Sequence, residues 1–296
     1  MSNKYFIVDV FTSVKFEGAQ IAVFPHADDM ADAEMQMLAR ELNLSETVFI
    51  CAVIDAESDF RLRIFSPLEE LRFAGHPLLA AGYVLHHSGL TSKSVIQLQL
   101  NDDVVRLAIE TIKGETKIQF TVKSTYHVDE FVPPNKELGD ILHLDEKVIG
   151  QSDLRPMLVS CRGDYLVVPV KTIDAFNTAR FSIDKWTTSF VATLASQICV
   201  CCKVAEVDGA VYRLRLLGKH ITEGSDPPVG SAAPAIAVYL FGAKAAGLYN
   251  AVMQRGGDGR RKSLINITVE KTEDVITAIQ VGGYAVQTGS GVIDSV

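Results

Sequence analysis

Gly75-His76-Pro77-Leu78-Leu79-Ala80-Ala81-Gly82-Tyr83-Val84-Leu85 carries no formal charge over about three helical turns. Upstream of it lies Phe60-Arg61-Leu62-Arg63-Ile64-Phe65, where apolar residues alternate with arginines, the period of a half-buried strand. The same succession returns later. Tyr212-Arg213-Leu214-Arg215-Leu216-Leu217 leads through a loop to Gly230-Ser231-Ala232-Ala233-Pro234-Ala235-Ile236-Ala237-Val238-Tyr239-Leu240. A pair of strand-like segments follows each copy, at 95–100 with 104–109 and at 264–269 with 275–281. The unit strand–loop–helix–strand–strand therefore occurs twice. A helix that is apolar on every side must be enclosed, and the simplest enclosure is a curled sheet. The expected fold is α+β, with two pseudo-symmetric lobes, each a mixed β-sheet curled around a central buried helix. Two such lobes facing each other would leave a cleft.

The prolines locate the helix entrances. Proline favours the first helical position, so Pro77 puts His76 at the entrance of the first helix. With Ser231 as N-cap, Pro234 falls in the first turn, where its missing N–H has no intrahelical partner to lose. The serine then lacks its usual amide donor, which frees its hydroxyl for another acceptor such as a ligand. Strands are expected at 4–11, 20–24, 47–53 and 165–170, and helices at 32–40, 133–142 and 183–196. The crossing between lobes is placed near 124–127, giving an N-terminal lobe of 1–124 completed by 284–296 and a C-terminal lobe of 125–283.

A chain of 296 residues is ample for two lobes of about 150 each. No run approaches the ~20 apolar residues of a membrane span. The segment Met1 to Asp9 lacks the pattern of a signal peptide, so the expectation is a cytoplasmic protein with no membrane partner. A net charge of −8 argues against nucleic-acid binding. The five cysteines are Cys51, Cys161, Cys199, Cys201 and Cys202, an odd number in a large chain, which disfavours a disulfide framework. The last three sit in an apolar run without the spacing of a zinc site, and read as small core hydrophobes. No metal is expected.

Two helix N-termini offer unpaired N–H groups and positive dipole ends, so a small carboxylate is the natural guest. The side chains nearest those entrances are Glu46 and His76 in the first copy, and Asp226 and Ser231 in the second. Glu46 precedes an apolar strand, where burial would raise its pKa and let it exchange protons near neutrality. An exposed turn residue is the plainer alternative for Glu46, as a loop opener is for Asp226 and a structural role for His76.

Arg72-Phe73-Ala74-Gly75-His76-Pro77 resembles the FAGHP signature of the PhzF-like phenazine biosynthesis family. Ser45-Glu46-Thr47-Val48-Phe49 is similar to that family's E-T/S-V/A-F segment, and Asp226-Pro227-Pro228-Val229-Gly230-Ser231-Ala232-Ala233 to its EDPATGSAA segment. Asp9-Val10-Phe11, Phe16-Glu17-Gly18 and Ala22-Val23-Phe24 resemble its opening, and Gly282-Gly283 its closing glycine pair. The resemblance implies a diaminopimelate epimerase-like fold and an isomerase that works by acid/base proton transfer with no cofactor and no metal. It implies catalytic roles for Glu46, His76, Asp226 and Ser231, and substrate contacts from Ser45, Gly75 and Gly230. A homodimer and a small carboxylate substrate are implied with them. An isomerase or epimerase of a different small carboxylate or amino acid, or a non-catalytic small-molecule-binding protein, stands as the alternative. Related racemases carry a cysteine at each helix entrance; His76 and Ser231 stand there here, which excludes a two-thiol mechanism. Departures from the pattern are Ala19 after Gly18 in place of asparagine, Ser225 before Asp226, and Gln254 to Ser263, read as a lobe-connecting loop.

Overall fold

The computed structural model describes residues 2–123, 125–207, 210–221, 227–257 and 259–294. The chain forms two compact units. One comprises Met1–Val122, Gly257–Ile265 and Gln280–Val296; the other comprises Lys123–Gly256 and Asn266–Ile279.

In chain order the first unit opens with β1 (Ser2–Val10), β2 (Ala19–Phe24), α1 (Asp32–Leu42), β3 (Glu46–Cys51) and β4 (Phe60–Phe65). It continues with β5 (Glu70–Leu71), α2 (Gly75–His87), β6 (Val95–Gln99), β7 (Val104–Ile112) and β8 (Glu115–Val122). The second unit holds β9 (His127–Asp129), α3 (Asn135–Leu142), β10 (Met157–Ser160), β11 (Asp164–Pro169), α4 (Ile173–Thr178) and α5 (Ile183–Thr188). After these come β12 (Gln197–Val207), β13 (Ala210–Leu217), α6 (Ala233–Phe241) and β14 (Gly247–Gly257), then β15 (Arg260–Thr272) and β16 (Val275–Asp294).

In the first unit the strand order is β1-β2-β3-β4-β6-β7-β8-β16, and β16 also pairs with β1, so the sheet closes on itself. The β2–β3 and β4–β6 pairs are parallel. A parallel pair needs a crossover, and α2 supplies it between β4 and β6. Every residue of α2 from Gly75 to Leu85 is buried, as its uncharged sequence requires. Burial of Leu78, Leu79, Val84 and Leu85 contributes about 1.5–3 kcal/mol each. The other helix, α1, ends on Asn43 in the left-handed conformation, a residue type that tolerates it. Met35, Leu38 and Ala39 of α1 pack with Phe49 and Cys51 of β3. Successive strand residues point to opposite faces, so Glu46, Val48 and Ile50 face the side of β3 that α2 packs against.

The second unit follows the same scheme with the order β15-β14-β13-β12-β11-β10-β9. Here β11–β12 and β13–β14 are the parallel pairs. The crossover β13–α6–β14 repeats β4–α2–β6, which realises the internal repeat of the sequence. Leu166 and Val168 of β11, Val170 just after it, and Ile198, Val200 and Cys202 of β12 pack with α3, α4 and α5 through Leu138, Phe176 and Trp186. Tyr165, Val167, Cys199 and Cys201 therefore point to the opposite face. All of α6 is buried, and it packs on β10 and β11.

Three local expectations are corrected. The helix expected at 183–196 stops at Thr188, because Ser189 is extended and a 3-10 turn follows at Phe190–Thr193. The Thr187 and Thr188 hydroxyls bond back to the carbonyls of Ile183, Asp184 and Lys185, which competes with continuation of the helix. The segment from Gln254 to Ser263 is mostly strand rather than loop, shared between β14 and β15. Gly256 and Gly257, at φ 72° and 93°, mark where the chain passes from the second unit to the first. Finally, α2 begins at Gly75, so Pro77 is its third residue rather than its first. Its missing N–H still lies among those with no intrahelical acceptor.

Candidate active site

Glu46 opens β3, in register with Ile21 of the parallel strand β2. The strand's alternation turns its side chain inward, where it is 13% exposed beside His76 at 3%. His76 is the second residue of α2, and its Nε2 is hydrogen-bonded to Glu46 Oε2. The remaining ring nitrogen, Nδ1, is buried and has no partner among the described residues. Burial pushes the Glu46 carboxyl up, but the charge and hydrogen bond of His76 and a hydrogen bond from Ser45 outweigh it. Together they hold it below the ordinary glutamate value of 4.5. This corrects the expectation of a raised pKa: apolar neighbours in sequence report burial alone, and the imidazole 30 residues onward reverses the sign. Ser45, expected to touch substrate, is an exposed residue whose side chain hydrogen-bonds Glu46.

The entrance of α2 has Ala74 at its N-cap, in extended conformation and with no side-chain cap. The leading amides, Gly75 included, are thus not satisfied by a capping side chain, the condition in which a helix start attracts an anion.

In the second unit the expected N-cap is displaced. α6 starts at Ala233 with Ala232 as its N-cap, and Pro234 is its second residue. The N–H groups of Ala232 and Ala233 both donate to the Val229 carbonyl at 3.1 Å, so a tight turn at 229–232 precedes the helix and Ser231 sits inside it. Nor is the Ser231 hydroxyl unengaged. Tyr165 Oη donates to Ser231 Oγ at 3.3 Å. Tyr165 lies at the start of β11, and burial pushes its phenol up to about 12 against the pull of the Ser231 bond. Gly230 is buried beside Ser231. Asp226 lies outside the described residues. Tyr165 was not among the residues singled out from sequence, and its spacing from Ser231 carries no local signal.

Asp9, part of the opening motif, anchors a buried polar cluster in the first unit. It is fully buried and accepts from Phe16 N–H at 2.7 Å and from Arg261 Nη2. Arg261 also donates to the Glu17 carbonyl at 2.7 Å and the Gly18 carbonyl at 3.0 Å. Gly18 N–H donates to Lys262 O at 2.7 Å, and Gly18 has a φ of 70° that favours glycine. Burial pushes the Asp9 carboxyl up in spite of Phe16 and Arg261. These bonds fix the segment leading into β2, at the sheet end where β3 starts with Glu46.

All five cysteines are buried, in keeping with core packing. Among the described residues no three His, Cys, Asp or Glu side chains are grouped to hold a metal, and no helix is long and apolar enough to cross a membrane.

Crossover helices wrapped by mixed sheets are shared with solved proteins. A Bacillus anthracis phenazine biosynthesis protein of the PhzF family superposes with a TM-score of 0.88 over 99% of both chains at 19% identity. A hydroxyproline epimerase from Agrobacterium vitis superposes with a TM-score of 0.59 over 99% of this chain and 92% of that one at 11% identity. The class is therefore the diaminopimelate epimerase-like fold. At the level of sequence, the family model described as phenazine biosynthesis-like protein matches residues 8–291. Trans-2,3-dihydro-3-hydroxyanthranilate isomerase of Pseudomonas fluorescens is 30% identical over 98% of this chain and 99% of its own. The chain belongs to the phenazine biosynthesis-like (PhzF) family, and it is an isomerase of that family.

Proposed function

We propose that this isomerase moves a proton on a small carboxylic acid without a cofactor, with Glu46 as the base and, once protonated, as the acid. The observation that carries this reading is the inward-turned Glu46–His76 pair at the uncapped start of α2. His76 and Ser45 keep the Glu46 carboxylate ionised at neutral pH, so it is ready to accept. In the step proposed, a C–H bond of the substrate breaks and its proton passes to Glu46. The electron pair is delocalised into an adjacent unsaturated or carboxylated group, and Glu46, its carboxyl proton having exchanged with solvent, protonates another carbon. The free amides at Gly75 steady the negative charge that develops. His76 holds the carboxylate in place and balances its charge, while Ser231, Gly230 and Asp226 are assigned to binding and orienting the substrate. Trans-2,3-dihydro-3-hydroxyanthranilate, the compound named for the Pseudomonas fluorescens relative, leads the candidates. Other unsaturated or amino carboxylic acids follow, because a fold does not fix a substrate. A cytoplasmic homodimer is part of the same reading, and light scattering of the purified protein tests the dimer.

The deciding experiment is a screen in deuterated water for label uptake into such acids, with wild type beside Glu46→Gln. Uptake by wild type alone supports the assignment. Equal uptake by Glu46→Gln removes Glu46 from the chemistry.

A further inference from the structure

We infer that Tyr165 is a positioning residue that fixes Ser231 as a hydrogen-bond donor, so that the substrate group meeting Ser231 is an acceptor, a carboxylate or similar anionic oxygen. For the substrate class this rests on the proton-transfer reading above; for the role of Tyr165 it rests on geometry alone.

The alternation of β11 sends Leu166 and Val168 to the side of α3, α4 and α5, and sends Tyr165 to the side where α6 packs. Room for the ring comes from Gly163: a Cβ there would lie 3.0 Å from Tyr165 Cε2 and 3.2 Å from its hydroxyl. The residue is 6% exposed. A phenol so deeply buried must place its proton on a protein acceptor or forfeit the bond. Among the described residues that acceptor is Ser231 Oγ at 3.3 Å. A serine hydroxyl has two lone pairs and one proton. With a lone pair committed to Tyr165, the proton remains, and no described residue accepts it. Ser231 does not cap α6, so the helix makes no claim on its oxygen either. Burial keeps the phenol protonated, up to about 12, so Tyr165 donates throughout the neutral range.

The bond can be read without any substrate. In Ser231→Cys the introduced sulfur takes the place of the hydroxyl oxygen. The native thiols form a quiet background, since burial pushes Cys161 up to about 11 and Cys199 to about 12. A donor aimed at sulfur favours the thiolate. The pH midpoint of iodoacetamide alkylation is therefore expected about one unit lower in Ser231→Cys than in Ser231→Cys with Tyr165→Phe, the scale of one hydrogen bond to a charged group. Equal midpoints overturn the role of Tyr165. A second measurement uses the native serine. In the label-uptake assay Tyr165→Phe is expected to raise KM for a carboxylate about tenfold with a smaller fall in kcat, and to add nothing in a Ser231→Ala background. Additive losses in that background overturn it as well. Absence of uptake by wild type refutes the proton-transfer reading and leaves the thiol midpoints to decide on Tyr165.

Discussion

His76→Leu roughly keeps the volume of the ring while removing the donor that faces Glu46. The Glu46 side chain is only 13% exposed, so its charge cannot return to water unless β3 moves. Leaving a buried carboxylate without its partner costs about 3–5 kcal/mol, and a loss of that size is expected at pH 7.5. The pH dependence identifies the cause. In the native protein Glu46 titrates below its ordinary 4.5; it contributes stability above that value, lost as pH falls through the lowered folded pKa. Without His76, burial dominates and the sign inverts. The variant keeps its stability at low pH and loses it as pH rises through the raised carboxyl pKa, by about 1.4 kcal/mol for each unit of separation. Adding Glu46→Gln to His76→Leu should therefore restore about 1–3 kcal/mol at pH 7.5 and almost nothing at pH 4.5. Urea denaturation at a series of pH values, with unchanged m, reads this directly. If the double variant is no more stable than His76→Leu at pH 7.5, the account of this pair is wrong.

Gly18→Ala should cost about 3 kcal/mol or more, read as a lower urea midpoint. Its Cβ would lie 2.2 Å from the Val10 carbonyl oxygen at a φ of 70°, and backbone cannot rotate aside. Arg261→Lys should cost about 1–3 kcal/mol and speed hydrogen exchange at the amides of Phe16 and Gly18, because one ammonium cannot replace a fork that reaches Asp9, Glu17 and Gly18 together. The five native thiols should resist a thiol reagent at pH 8 in the folded protein and all react in urea, as their burial demands; rapid labelling of Cys199, Cys201 or Cys202 in the native state would contradict the packing of β12.

What the sequence disclosed was whatever depends on local period. The uncharged run of α2 forces enclosure, and the arginine-alternating strands ahead of α2 and α6 exposed the repeat. Glu46 and His76 were legible as candidates because each stands at a boundary between a loop and an apolar element. The sign of the Glu46 titration was not, since it depends on a contact made only in the folded chain. Tyr165 reaches Ser231 across 66 positions and Asp9 reaches Arg261 across 252, and no window of sequence holds both partners. The turn before α6 escaped for a subtler reason: serine ahead of alanine and proline looks like a cap, but the Val229 carbonyl takes the amides instead.

Closure of the first unit has a cost in time. Ser2 pairs with Asp294 and Val10 with Ala285, so β1 waits for β16, which is made much later, before both its edges are satisfied. Until β16 leaves the ribosome, β1 and β8 each present a bare row of amides and carbonyls, the kind of margin on which chains aggregate. Seams between such distant segments form slowly, so the β1–β16 pairing is expected among the late steps of folding.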